Sequence, residues 1–306
     1  MLINTTLSLK DLPLPPPEKS GWPWTEQSEP LSEQRPDSSE WPRISIVTPS
    51  YNQGQFIEET IRSVLLQGYP NLEYIIIDGG SKDVSIEIIK KYQPWLSFWK
   101  SEKDQGQSDA INKGFAASTG AIMGWVNSDD LLTKGALQYL GAAYKAGLNW
   151  WTGGASQILQ DGRVVYYNST KLNTISKREL LHARAILFQV STFWTRELWE
   201  RAGSCLSSLD FAMDYELWLR FSRWSSVIPI RHNLGLYRTH ENAKTGTSDG
   251  MKLYTTECDV LRLEEYQRQG HIWLIRAILI TLWTRFSLAK AYGWRSCFGR
   301  RTIPYV

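Results

Sequence analysis

"ISIVTPSYNQGQFIEETIRSVLLQGYPNLEYIIIDGG", residues 44–80, decides the fold. Its first seven residues are a short β-branched run that ends in a turn. Phe56, Ile57, Thr60, Ile61, Val64 and Leu65 then fall on one helical face, with Glu58, Glu59 and Arg62 on the other, until Gly68 and Pro70 stop the helix. "LEYIIID" is a continuous apolar strand that closes on Asp78. A strand, a helix and a second strand buried on both faces make a βαβ unit, whose strands lie parallel.

The pattern continues downstream. "VSIEIIKKY" (84–92) reads as a helix, "LSFWKSE" (96–102) as a strand, "SDAINKGFAAS" (108–118) as a helix and "AIMGWV" (121–126) as a strand. This β-α-β-α-β-α-β order predicts an α/β chain with a right-handed, mostly parallel sheet flanked by helices. Such sheets bind ligands outside the carboxyl ends of their strands. Ser50 and Tyr51, Asp78, and Asp129 with Asp130 all stand at those ends. In "WVNSDDLL" (125–132) two adjacent carboxylates repel each other at the mouth of a buried strand unless a cation or a cationic substrate complex neutralises them. The alternative is a solvated helix start before "LLTKGALQYL".

Beyond residue 150 the texture changes. "NWWTGGASQIL" and "GRVVYYN" flank Asp161-Gly162, a hairpin turn. "ILFQVSTFWT", the helix "RELWERAG", "DYELWLRFSRW" and "SVIPIRHNLGLYRTH" predict mixed strands and helices on the same sheet. Before residue 43, eight of the 13 prolines crowd into a segment expected to be an extended, poorly ordered arm, with Trp22, Trp24 and Trp41 as the groups that would pin it to a surface.

Composition bounds the rest. With 306 residues, 42% apolar and 21% charged, the chain reads as globular with a sizeable core. Its 15 tryptophans suit either a core or a platform for sugar rings and bases. The net charge of +3 is uneven: residues 267–306 carry seven basic side chains and no acid, while residues 43–266 balance. That argues against nucleic acid as a partner of the body and for an anionic partner of the tail. Cys205, Cys258 and Cys297 are odd in number and widely spaced, which suits a reducing cytoplasm rather than a disulfide framework or a zinc site, and no export signal opens the sequence.

"TPSYNQGQFIEETIRSVLLQ", "IIIDGGSKD", "DQGQSDAINKGF", "GWVNSDDLL", "MDYELWLR" and "YRTHENAKT", in this order over residues 43–245, resemble family 2 glycosyltransferases of the GT-A fold. The resemblance implies a Rossmann-like nucleotide-binding half (43–130) and a mixed acceptor half (131–250), followed by a basic helical extension (251–306). It implies an inverting transfer from a nucleotide-sugar, typically a UDP-sugar, to a hydroxyl of a saccharide or lipid-linked saccharide, as in polysaccharide, lipopolysaccharide or glycolipid synthesis. Asp78 takes the position of the acid that hydrogen-bonds the base, with Asp83 beside it and Tyr51 placed to stack; Pro49, Ser50, Gln107 and Asn112 fall in the nucleotide-binding segments, the last with Gly114 near the diphosphate. Asn127-Ser128-Asp129-Asp130 takes the Asp-x-Asp position, with Asn127 in place of the first aspartate and turned to the ribose. Asp129 and Asp130, with His240 of "YRTH", are implied ligands of Mn²⁺ or Mg²⁺. Asp214 takes the place of the general base; Met213 stands where the family carries a second acid, which should leave the base less elevated in pKa than a like-charge pair would. The alternative for Asp214 is a helix N-cap; in the family a histidine after "YR" approaches the metal or the diphosphate, and the alternative for Arg238 is a partner carboxylate in the core. Gln189 and Ser191 fall on the acceptor side, and Trp194, Trp199 and Trp218 on a core or a sugar platform.

Ile275, Ile278, Leu279, Leu282, Phe286 and Ala289 make an apolar stripe, interrupted by charge too often to span a membrane. Residues 272–295 are expected either to lie on the inner face of the cytoplasmic membrane or to dock on protein. Asn127 and Met213 also admit a catalytically silent nucleotide-sugar-binding module. A nucleotidyltransferase is disfavoured, because no glycine-rich, lysine-containing phosphate loop opens the sheet.

Overall fold

The computed structural model of the protein describes residues 7–166, 174–182 and 187–268. From Ile44 the chain runs β1 (Ile44–Ser50), α1 (Ile57–Leu65), β2 (Leu72–Asp78), α2 (Ser85–Tyr92), β3 (Phe98–Ser101), α3 (Gln107–Ala116) and β4 (Ile122–Trp125). These four strands are parallel in the order β3-β2-β1-β4, with Ser50 opposite Asp78 and Asp78 opposite Ser101. The carboxyl ends of β1, β2 and β3 are therefore level, β4 stops at Trp125 opposite Val47, and together they form one rim. β1 is buried along its whole length and β2 nearly so, as continuous apolar runs covered on both faces require.

The second half adds β5 (Leu131–Leu132), α4 (Ala136–Ala143), β6 (Trp150–Ile158), β7 (Val164–Tyr166), α5 (Lys177–Leu181), a 3-10 turn (Gln189–Ser191), β8 (Thr192–Thr195), α6 (Arg196–Ala202), α7 (Met213–Phe221), β9 (Ile228–Arg238) and α8 (Ser248–Gln267). The nine strands among the described residues join one sheet, β3-β2-β1-β4-β8-β6-β9-β5, with β7 paired to β6. β8 is antiparallel to both β4 and β6, β9 parallel to β6, and β5 antiparallel to β9. The sheet is thus parallel in its first half and mixed in its second. At the predicted hairpin Gly162 adopts φ +83° and donates its N–H to Leu159 O, a conformation that suits glycine.

Each face of the sheet has its own core. On one, Trp125, Trp150, Trp194, Trp199 and Trp218 pack with Phe115 and Phe221; Trp125 and Trp194 meet edge-on at 5.5 Å between centroids. Trp194, Trp199 and Trp218 are therefore core residues, and truncating one to alanine should cost about 3–5 kcal/mol. Cys258, Leu261 and Tyr266 of α8 enter the same cluster, so the start of the extension packs as part of the sheet's own core. On the other face α1 and α4 cover Ile46, Phe193 and Trp151.

The proline-rich arm differs from expectation. Leu12, Trp24 and Trp41 are buried, and Trp22 Nε1 donates to Leu132 O at 2.9 Å. The physical reason is Arg62, placed by periodicity on the polar face of α1 but fully buried. Its Nε donates to Pro23 O (3.1 Å), Nη1 to Pro13 O (2.9 Å) and Tyr92 Oη (3.1 Å), and Nη2 to Trp24 O (3.0 Å). An extended chain leaves its carbonyls without helix or sheet partners, and a guanidinium's fork of donors collects them. Among the described residues no helix is long and apolar enough to cross a membrane, and the stripe at 272–295 lies outside them.

Candidate active site

β5 begins immediately after Asp130 and runs antiparallel to β9, pairing Leu131 with Leu236. That register brings the end of β9 back onto the acidic pair. Asp129 Oδ2 lies 2.9 Å from His240 Nε2. Arg238 braces the arrangement: Nε donates to Asp129 O (3.1 Å), and Nη2 pairs with Glu59 (3.0 Å). Its guanidinium lies 4.8 Å from the centre of the Phe56 ring, which in turn packs on His240 at 4.7 Å. The pairing partner of Arg238 is thus the carboxylate of Glu59 on α1.

Asp130 does not share this outward position. Its side chain is buried, with Oδ1 accepting from Arg238 N (2.9 Å) and Oδ2 from Asn127 Nδ2 (3.1 Å). Burial, then the charge of Asp129, push its carboxyl well above the usual range. The expected second metal ligand is an inward brace, because a two-residue strand starting at Leu131 turns the preceding carboxylate into the fold.

Asn127 is also occupied within the chain. Its Nδ2 donates to Asp130 and to Gln189 Oε1 (3.3 Å), while its Oδ1 accepts from Gln107 Nε2 (2.8 Å). Gln189 Nε2 closes the network on Trp125 O at 2.7 Å. The amides of Asn127 and Gln107, expected at the nucleotide, tie α3 to the ends of β4 and the 3-10 turn. Ser128 is buried and its carbonyl accepts from Thr60 Oγ1 (3.0 Å). Ser191 Oγ, expected on the acceptor side, is buried on Gly154 O.

Asp78 is the largest departure. It is fully buried, and its carboxylate accepts from Gly80 N (3.1 Å), Ser81 N (2.9 Å), Ser81 Oγ (2.5 Å) and Ser101 Oγ (2.7 Å). Three of these donors share Oδ2 and one reaches Oδ1, so the carboxylate anchors the turn. Asp83 likewise accepts from Gly54 N and Ser85 N. Asn112 exchanges hydrogen bonds with the backbone of Cys205 at 2.9 and 3.0 Å, and Pro49 is buried in β1. At the rim itself remain Tyr51, 60% exposed, and the buried Ser50 hydroxyl, which has no hydrogen-bond partner among the described residues. Asp104, overlooked in the sequence although it opens "DQGQSDAINKGF", brings its carboxylate to Gly79; a Cβ there would stand 2.7 Å from Asp104 Oδ2.

Asp214 is the second residue of α7, whose N-cap is Ala212, so it is not the cap. Its Oδ1 accepts from Tyr215 N at 2.7 Å, and it makes no salt bridge among the described residues. Burial pushes its carboxyl up to about 6, against the lowering effect of the Tyr215 N–H and its own. Desolvation alone raises the pKa, with no neighbouring acid adding to it. The α7 start belongs to the rim because Ser108 Oγ meets Met213 Sδ at 2.8 Å, one residue from Gln107 and its contact with Asn127.

Among the described residues no group of three or more histidine, cysteine or acidic side chains could hold a metal ion. The Asp129–His240 pair still fits one. Metal–ligand distances of about 2.1 Å at a right angle put neighbouring donors about 3 Å apart, close to the observed 2.9 Å. A carboxylate oxygen suits Mn²⁺ or Mg²⁺ when substrate phosphates complete the shell, and an imidazole nitrogen favours Mn²⁺ of the two.

A model of the family described as "Glycosyl transferase family 2" matches residues 45–192. An uncharacterized glycosyltransferase of Rickettsia typhi is 28% identical over 218 residues, 68% of this chain and 67% of its own length. Other curated glycosyltransferases are matched over only about a third of their length, 34% and 31% in two cases. Staphylococcus aureus TarS 1-349, solved in complex with UDP-GlcNAc, superposes with a TM-score of 0.59 at 16% identity, covering 84% of this chain and 74% of that one. The mannosyltransferase PcManGT of Pyrobaculum calidifontis, in complex with GDP-Man and Mn²⁺, gives 0.58 at 18% identity over 88% and 79%. The sheet order, the rim and the matched segments agree: the chain has the GT-A fold, and its residues 45–192 match the glycosyl transferase family 2 model.

Proposed function

We propose that the protein transfers a sugar, with inversion, from a nucleotide-sugar to a hydroxyl of a saccharide or lipid-linked saccharide acceptor. The observation that carries this reading is the 2.9 Å contact of Asp129 with His240 at the strand-end rim, where a donor diphosphate would lie. The bound complexes of the structural neighbours, with UDP-GlcNAc and with GDP-Man and Mn²⁺, support a nucleoside diphosphate sugar as donor.

Asp129 and His240 would hold the divalent cation, which when bound supplies charge stabilisation to the departing diphosphate. Arg238 fixes Asp129 through its carbonyl and keeps Phe56 against the His240 ring. Tyr51, exposed at the end of β1, offers its face to the base. Asp214 accepts the proton of the acceptor hydroxyl as that oxygen bonds to the anomeric carbon; the bond from carbon to phosphate oxygen breaks, and its electron pair leaves with the nucleoside diphosphate. A carboxylate raised to about 6 is ionised at neutral pH yet a stronger base than an ordinary aspartate. The acceptor belongs to envelope polysaccharide, lipopolysaccharide or glycolipid synthesis, reached from the cytoplasmic side of the membrane.

The test is product formation from UDP-GlcNAc and GDP-mannose, with Mn²⁺ and a panel of saccharide acceptors, followed by NMR of the new anomeric centre. Inversion, and loss of product in Asp214→Asn, are expected. A retained configuration, or normal turnover by Asp214→Asn, overturns the mechanism.

A further inference from the structure

α7 begins without a cap of its own. Its N-cap residue is Ala212, among the least effective caps, and no side chain from that position accepts from the helix. The backbone N–H groups of Phe211 and Ala212 instead donate to one carboxylate oxygen, Oε2 of Glu257, at 3.0 and 2.7 Å. Glu257 lies on α8, far along the chain and beyond residues 45–192. A third contact pins the same segment: Lys244 Nζ donates to Asp210 O at 2.8 Å. Lys244 sits in the loop that follows His240, and that loop is tightly folded, since a Cβ at Gly246 would meet His240 O. Asp210, Phe211 and Ala212 are thus held by two side chains from the segment after His240, immediately before Met213 and Asp214.

We propose that Glu257 is the positioning residue for Asp214, supplying from α8 the cap that α7 lacks and so fixing where the Asp214 carboxyl stands. This rests on the reading of Asp214 as the base. The hydrogen bond of Asp214 is to Tyr215 N of its own turn, so its place follows the place of the turn. Two backbone bonds to a carboxylate are charge-assisted, and their loss frees the first turn to fray. The titratable groups beside Asp214 are Cys205, which precedes α7, and Tyr254 and Cys258 of α8; burial raises all three, which keeps them neutral near pH 7. No cation among these neighbours offsets a displaced carboxyl. A frayed turn admits water and returns Asp214 toward the ordinary carboxylate range.

The test uses the full chain labelled with ¹³C-carboxyl aspartate, as wild type, Glu257→Gln and Glu257→Ala, with the Asp214 signal identified by its loss in Asp214→Asn. Amide exchange over residues 211–217 and nucleotide release from UDP-GlcNAc and GDP-mannose with Mn²⁺ accompany it. Glu257→Ala should lower the Asp214 titration midpoint, raise exchange in that segment at least about tenfold, and lower kcat about 10- to 100-fold with the donor KM within about twofold. Glu257→Gln, which keeps an acceptor oxygen, should lie close to wild type; it also serves if the alanine variant does not fold. An unmoved midpoint with unchanged exchange overturns the positioning role even if melting temperature falls. Inactive Asp214→Asn beside a wild-type-like Glu257→Ala removes Glu257 alone. Normal turnover by Asp214→Asn removes the base reading and this inference with it.

Discussion

Asn127 Nδ2 donates to Asp130 Oδ2 across 3.1 Å, so the asparagine at the Asp-x-Asp position hydrogen-bonds a buried carboxyl. Restoring the acid should therefore hurt. Asn127→Asp sets a like charge against Asp130, whose carboxyl burial already raises, and loses the bonds that Asn127 Nδ2 donates to Asp130 and Gln189, while Gln107 Nε2 can still donate to it. A loss of about 1–3 kcal/mol is expected at pH 8, shrinking at pH 5 as a proton is shared by the pair. Denaturant midpoints at the two pH values check this.

Asp214 is held at a cost in stability. Its folded pKa, about 6, lies above the ordinary aspartate value of 3.8, so the folded state binds more protons between these values. The sign follows: its penalty is absent below about 3.8 and fully present above about 6. Asp214→Asn should raise the melting temperature at pH 8 and leave it nearly unchanged at pH 4, while slowing transfer about 10²- to 10⁴-fold. In the wild type, transfer should fall tenfold per pH unit below about 6.

Asp78→Asn separates a turn anchor from a base reader. An amide in place of the carboxylate points N–H groups at Ser81 N, Gly80 N or the serine hydroxyls. We expect a lower melting temperature, by several degrees for about 2–3 kcal/mol, with or without nucleotide. Unchanged melting with selectively weakened nucleotide binding would return Asp78 to the base.

Arg62→Met should release the arm. It strands the carbonyls of Pro13, Pro23 and Trp24, at a cost of about 2–4 kcal/mol. Limited proteolysis should then cut within residues 13–42, which the wild type protects.

Much of this was legible in the sequence, and the failures share a cause. The parallel half, the hairpin at Gly162 and the buried Trp194 and Trp218 followed from periodicity and residue type. Asp129 and His240 stand together after the ends of β4 and β9, and Asp214 lies in the first turn of α7. Asp78, Asn112, Asn127 and Asp130 lie in equally suggestive segments, yet their polar atoms face the chain's own backbone and side chains. Sequence spacing places a side chain at a strand end without telling whether it turns out or in. Arg62 and Glu257 were missed because their partners, proline-segment carbonyls and a helix start, are backbone groups far away in sequence.

The central claim is that Asp129 and His240 hold the cation that holds the donor. Calorimetric titration of UDP-GlcNAc and GDP-mannose, with Mn²⁺ and with EDTA, on wild type, Asp129→Ala and His240→Ala tests it most directly. The account predicts binding that requires Mn²⁺ and weakens about 10- to 100-fold in either variant. Binding that persists in EDTA, or that both substitutions leave unchanged, contradicts it.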